Sequence, residues 1–153
     1  YTLTPGDLVA LTGTNGKTTT VSLLGEIFKN WGVADSLVHI AANDAQMASL
    51  YRHALCFVFP SLYEGFGIPI LEALNSKLPV VAATGSCLEE AGGPDSLYVN
   101  PDSVEEMAQA INKAMQPTQR EYMINKGLAW AARFSKEQMA RETMQCYNKL
   151  IKG

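Results

Sequence analysis

Short apolar runs alternate along the chain with stretches in which apolar residues recur every three or four positions. The runs Leu8–Leu11, Leu37–Ala41, Cys56–Phe59, Val80–Ala83 and Leu97–Val99 predict five strands, each covered on both faces. Between the first two, Val21, Leu24, Phe28 and Trp31 fall on one helical stripe, and Gly32 sits where a helix ends. Asp44 to Ala54 places Met47, Leu50, Tyr51 and Ala54 together, and a shorter helix, Ile70 to Ser76, follows Pro69. The last third is helical. Ser103-Val104-Glu105-Glu106 reads as a capping box, opening a helix with Val104, Met107, Ala108, Ile111 and Met115 on its apolar face. Pro117 breaks that run, and a second helix spans about Gln119 to Ala132. Ser135-Lys136-Glu137-Gln138 is another capping box, before a helix with Met139, Thr143, Tyr147, Leu150 and Ile151 on one face. Each of these stripes is expected to pack into a core.

Strand–helix alternation with right-handed crossovers predicts an α/β fold, a three-layer doubly wound sandwich. A Gly-rich loop follows the first strand. The expected sheet is therefore five-stranded and parallel, in the flavodoxin- or Rossmann-like order 2-1-3-4-5, with extra C-terminal helices. The loops after strands 1 and 3, Gly13–Thr18 and Pro60–Pro69, then face one crevice.

The 153 residues suffice for one domain, 1–153, burying roughly 70% of the unfolded surface. Net charge −3 argues against a nucleic-acid partner, and no apolar run reaches membrane-spanning length. A cytoplasmic monomer is expected. The chain begins at Tyr1 and not at a Met, as a processed or trimmed chain would. Cys56, Cys87 and Cys146 are an odd count at scattered spacings, and His39 and His53 make no cluster with them. Buried thiols are expected, and neither a disulfide nor a metal site.

The candidate chemistry begins at Thr12-Gly13-Thr14-Asn15-Gly16-Lys17-Thr18-Thr19-Thr20. A strand, a Gly-rich turn and a helix start make a phosphate cradle. Glycines let backbone N–H groups close on an anion, Lys17 adds a positive charge, and the Thr18 hydroxyl can ligate Mg²⁺. The strict Walker A pattern fails at Leu11, where it needs Gly. The shorter form resembles the ATP-binding loop of the Mur ligases and of their relatives, the folylpolyglutamate and cyanophycin synthetases, over about Gly6 to Gly32. That resemblance implies phosphate or nucleotide binding by Gly13, Thr14, Asn15, Gly16, Lys17, Thr18 and Thr19, with ATP or ADP and Mg²⁺ as candidates. No apolar strand ends directly in the acid an ATPase needs. Asp44 comes nearest and is expected to cap a helix.

The second constellation is Pro60-Ser61-Leu62-Tyr63-Glu64-Gly65-Phe66-Gly67-Ile68-Pro69-Ile70-Leu71-Glu72-Ala73. Two glutamates stand around a Gly-Phe-Gly turn. Here the chain resembles the retaining "group 1" glycosyltransferases of the GT-B fold, from about Asp35 to Gly153. The resemblance continues through Leu78–Ala83, Leu97–Pro101 and Ala132–Ser135. It implies that Glu64 faces a donor sugar and that Glu72 bonds the ribose of a UDP-type nucleotide. It also implies that the amides of Gly65, Phe66 and Gly67 approach the sugar and diphosphate. A carboxylate can accept from two vicinal hydroxyls, and helix N-terminal amides bind phosphate.

Two resemblances meeting end to end, near Gly32 to Ser36, read as an engineered chimera of a ligase-like unit (1–33) and a glycosyltransferase-like portion (34–153). The basic pair that binds the donor diphosphate in that family has no counterpart here, and neither parent's partner domains are present. A scaffold that is not an enzyme, has no catalytic residues and retains phosphate or nucleotide binding is therefore expected. The alternatives are a nucleotide-sugar-binding glycosyltransferase lobe that needs a separate acceptor domain, and a P-loop ATP-binding protein.

Overall fold

The apolar runs line up side by side as parallel strands. A computed structural model describes residues 9–11 and 44–152. Its strands are β1 (Val9–Leu11), β2 (Cys56–Phe59), β3 (Val80–Ala83) and β4 (Leu97–Val99), hydrogen-bonded in that order. Every pairing is parallel, with Leu11 opposite Val58, Val58 opposite Val81 and Ala83 opposite Val99. The parallel α/β sheet is thus present, but with four strands among the described residues and not five. The strand expected at Leu37–Ala41, and with it the inner position of β1 in the order 2-1-3-4-5, lies outside the described residues.

Alternation along each strand builds two cores. Phe57, Phe59, Val80 and Ala82 face one layer, made by α1 (Asp44–His53), α2 (Ile68–Asn75), α3 (Leu88–Gly92) and the end of α5 (Pro117–Ala131). Tyr51, Ala54, Ile70, Ala73, Leu74 and Leu88 fill it. Cys56, Val58, Val81 and Val99 face the other layer, where α4 (Val104–Met115) supplies Met107, Ile111 and Met115, and α5 supplies Met123. Each large side chain buried this way contributes about 1.5–3 kcal/mol. Burial on both faces is what lets β2 and β3 read as unbroken apolar runs.

Local signals set the helix ends. Pro117, expected as a breaker, opens α5 at its first turn, where the missing N–H costs nothing. The Ser103 hydroxyl accepts from the Glu106 N–H at 3.3 Å. The Glu106 carboxylate turns instead to the Asn100 N–H at 3.1 Å, so the reciprocal half of the capping box is not made. Where α2 meets α5 the contact depends on Gly127, since a Cβ there would lie 2.6 Å from Leu74 Cδ2.

The last helix departs from expectation. A 3-10 turn (Ala132–Phe134) redirects the chain into α6 (Lys136–Lys152), with Ser135 Oγ accepting from the Gln138 N–H at 3.1 Å. Its apolar face is not in a core: Met139 is 64% exposed, Tyr147 56%, Leu150 75% and Ile151 81%. The stripe was read correctly as amphipathic, but periodicity says only that a face is apolar, not what covers it. The expected seam between these residues and the stripe Val21, Leu24, Phe28 and Trp31 falls outside the described residues.

Candidate functional site

Parallel strands place their following loops at one edge of the sheet. Leu11 is level with Val58, so β1 ends where the loop after β2 begins. The phosphate-loop residues Gly13, Thr14, Asn15, Gly16, Lys17, Thr18 and Thr19 lie outside the described residues. The loop after β2, residues 60–67, is described in full.

Pro60 and Ser61 are buried where the chain leaves β2, and Leu62 and Tyr63 then turn out to solvent. Glu64 returns to a half-buried position. The Ser61 hydroxyl donates to Glu64 Oε1 at 2.7 Å, and the Cys87 thiol donates to the Glu64 carbonyl at 3.2 Å. One bond fixes the carboxylate and the other the backbone. Gly65 is exposed. Phe66 rests on Phe134, ring centroids 5.5 Å apart, and Phe134 lies beside Trp130. Trp130 donates its Nε1–H to the Glu90 carbonyl at 3.1 Å and carries the Arg133 guanidinium 4.2 Å from its ring centroid. This aromatic stack holds the Gly-Phe-Gly turn against the C-terminal end of α5.

Gly67 is the N-cap of α2, with φ 107° and ψ 41°. No side chain caps the helix there, and the Gly67 carbonyl accepts the Ile70 N–H at 2.9 Å. The first turn of α2 carries no acidic residue and no side-chain cap, an arrangement suited to an anion. Glu72 stands on the exposed side of α2. The Tyr51 hydroxyl, from α1, donates to Glu72 Oε2 at 3.3 Å. Burial, and then the Glu72 charge, push the Tyr51 phenol well above its ordinary value, so it remains a proton donor throughout the neutral range.

The loop after β3 closes the other side. The Glu89 carboxylate accepts from the Gly85 N–H at 2.8 Å and from the Thr84 hydroxyl at 2.9 Å. These two bonds, the backbone one first, hold its carboxyl below the usual carboxylate range. The same loop carries Cys87 onto the Glu64 carbonyl and so ties the loops after β2 and β3 together.

Of the residues expected to form the sugar and ribose site, Glu64, Gly65, Phe66, Gly67 and Glu72 are all set around the start of α2. Sequence reasoning missed Ser61, Cys87, Glu89 and Phe134, and placed Tyr51 only in an apolar stripe. Ser61 had a local signal, a hydroxyl three residues before an acid in a Pro-led turn. The partner of the Tyr51 hydroxyl is 21 positions away, beyond any local pattern. Against the expectation of buried thiols, only Cys56 is buried. Cys87 is half-buried and Cys146 exposed on α6. No group of His, Cys, Asp and Glu among the described residues could hold a metal ion, and no helix among them is long and apolar enough to cross a membrane.

Residues 10–117 match the family model described as "Glycosyl transferases group 1". The O-antigen chain mannosyltransferase B of Escherichia coli is 38% identical over 108 residues, covering 70% of this chain and 28% of that protein. A sucrose-phosphate synthase from Thermosynechococcus elongatus superposes with a TM-score of 0.77 at 20% identity, over 96% of this chain and 46% of that one. The Anabaena protein Alr3699/HepE, solved in complex with UDP and glucose, superposes with a TM-score of 0.76 at 17% identity, over 94% of this chain and 49% of that one. The chain thus spans under a third of that mannosyltransferase and about half of these structures. A UDP-N-acetylmuramoylalanine--D-glutamate ligase of Alkaliphilus oremlandii is 72% identical over 32 residues, 21% of this chain and 7% of that protein. The ligase likeness extends no further than that stretch. The range matched by the family model spans residues 33 and 34, and so gives no support to a chimera joined there.

Proposed function

This chain belongs to the glycosyl transferases group 1, and from that premise we propose that it supplies the nucleotide-sugar-binding part of a sugar-transferring enzyme. Membership overturns two expectations, that the protein is an engineered scaffold without activity and that it is not an enzyme. The matched family is the glycosyl transferases group 1, and the relative of 38% identity is a mannosyltransferase. Partner domains that the chain lacks are no sign of lost function, because this chain covers only part of each relative.

One observation carries the proposal: at the C-terminal edge of a parallel sheet, Glu64 precedes the uncapped start of α2 and Glu72 lies on its exposed side in the second turn. In this reading the diphosphate sits against the N-terminal amides of α2, Glu72 accepts from the ribose hydroxyls, and Glu64 accepts from the sugar. The walls are rigid, since Glu64 is tied to Ser61, its backbone to Cys87, and Phe66 to the Trp130–Phe134 stack. Binding at a prearranged site avoids ordering costs. The bound UDP of the Anabaena structure supports a nucleoside diphosphate as ligand class.

Titration of UDP, GDP and ADP, followed by calorimetry and thermal shift, tests the reading. At least one is expected to bind and to raise the melting temperature. Glu72→Ala should weaken it about tenfold, the effect of losing a charge-assisted hydrogen bond. Binding unaffected by Glu72→Ala places the nucleotide elsewhere. A second reading rests on the short ligase-like stretch. It assigns a phosphate to the loop Gly13–Thr19 near Lys17, and ATP affinity unchanged in Lys17→Ala refutes it.

A further inference from the structure

Each glutamate of the proposed donor site has one carboxylate oxygen held by a hydroxyl from the buried side. Ser61, 1% exposed, donates to Glu64 Oε1, and Tyr51, 4% exposed, donates to Glu72 Oε2. The two hydroxyls come from different elements, the exit of β2 and the helix α1. Neither sits where a ligand would, because both are covered by the protein. We propose that Ser61 and Tyr51 are positioning residues, which hold one oxygen of each glutamate and aim the other at the bound nucleotide-sugar. The inference rests on the donor-site reading above.

The physical argument concerns rotamers. A Glu side chain has three rotatable bonds and loses more than a kcal/mol-scale share of freedom when it is fixed. A buried hydroxyl that fixes it before the ligand arrives removes that cost from the binding step. Tyr51 is itself immobile: its ring packs edge-on against Phe57 with centroids 5.4 Å apart, and its hydroxyl is the one polar atom it can extend toward α2. Ser61 is held by the buried backbone that follows β2. The assignment is also divided by ligand part. Tyr51 acts through Glu72 on the ribose, and Ser61 acts through Glu64 on the sugar.

That division gives a test which a merely structural role would not satisfy. Tyr51→Phe keeps the ring and its packing, and Ser61→Ala keeps the volume of the buried turn. Affinities of the 153-residue chain and both variants are measured for UDP, 2′,3′-dideoxy-UDP and UDP-glucose, with the guanosine series (GDP, its dideoxy form and GDP-mannose) run alongside. Tyr51→Phe is expected to weaken UDP or GDP about tenfold and to leave the dideoxy nucleotide unchanged. Ser61→Ala is expected to leave the free diphosphate unchanged and to weaken the nucleotide-sugar by a similar factor. Equal weakening of ribo- and dideoxy-nucleotides by Tyr51→Phe, or no weakening of either, overturns the role of Tyr51. Loss of free-diphosphate affinity in Ser61→Ala overturns the role of Ser61. If the unmodified chain binds neither series, the donor-site reading itself falls, and the positioning roles fall with it.

Discussion

The two glycines of the Gly65-Phe66-Gly67 turn should respond in opposite ways to the same substitution. A Cβ on Gly65 meets nothing within 4 Å, and its backbone lies outside the positive-φ region. Gly65→Ala is therefore expected to change stability by no more than about 0.5–1 kcal/mol, with any gain coming from reduced freedom of the unfolded chain. Gly67 differs on both counts. Its φ is +107°, and a Cβ would lie 3.0 Å from Leu88 Cδ2 and 3.2 Å from Ala91 Cβ. The backbone strain costs about 1–3 kcal/mol, and pressing α3 outward adds roughly 1 kcal/mol or more. Offset by about 0.4–1 kcal/mol from the unfolded state, Gly67→Ala should lose about 2–3 kcal/mol. For a chain of this size that lowers the melting temperature by roughly 4–12 °C. Urea titration at fixed pH reads the difference as a shift in midpoint at constant slope. The functional consequence follows the same geometry, because Gly67 sets the direction of the α2 terminus. Nucleotide affinity should fall in Gly67→Ala along with stability. Equal stability of the two variants would refute the argument from backbone conformation.

Two further outcomes follow from the cores. Burial pushes the Cys56 thiol up to about 12 from 9.0, against a smaller downward pull from Arg120. The folded chain keeps a proton that the unfolded chain releases, so stability is full below about pH 9 and declines as pH rises toward 12. Urea midpoints between about pH 8 and 11 should fall, less steeply in Cys56→Val, and an equal slope in both removes Cys56 as a cause. In Gly127→Ala the new methyl would sit 2.6 Å from Leu74 Cδ2, the far end of a flexible side chain. A loss of about 1–3 kcal/mol is expected, and the penalty should shrink in a Leu74→Ala background; additive losses would refute the close contact.

The sequence was most legible where a local pattern carries the physics. β2 and β3 were readable because strands buried on both faces leave unbroken apolar runs, and α4 because Ser103 and the Met107–Ile111–Met115 stripe agree on its start and its face. Glu64 and Glu72 were readable from one contiguous stretch, the loop after β2 and the first turns of α2. Their supports were not, because Tyr51, Cys87 and Phe134 reach that loop across 21 or more positions. The fate of α6 was misjudged for a related reason, since amphipathicity names no partner. The largest error concerned function and came from reasoning about what the chain lacks. An absent basic pair and absent domains do not make a non-enzyme, and membership of the glycosyl transferases group 1 contradicts that expectation.

The sheet also governs how the protein must come to be folded. Among the described residues each strand pairing is parallel, so none of these can begin as a hairpin. β2 and β3 can meet only after the whole of α2 has been placed between them, and β3 and β4 only after α3. Such long closures make parallel pairing intrinsically slow. During that interval the runs Cys56–Phe59 and Val80–Ala83, wholly apolar and without a charge, are uncovered. These are the segments through which newly made chains would associate with one another, and the helices that later cover both faces are what withdraws them from that hazard.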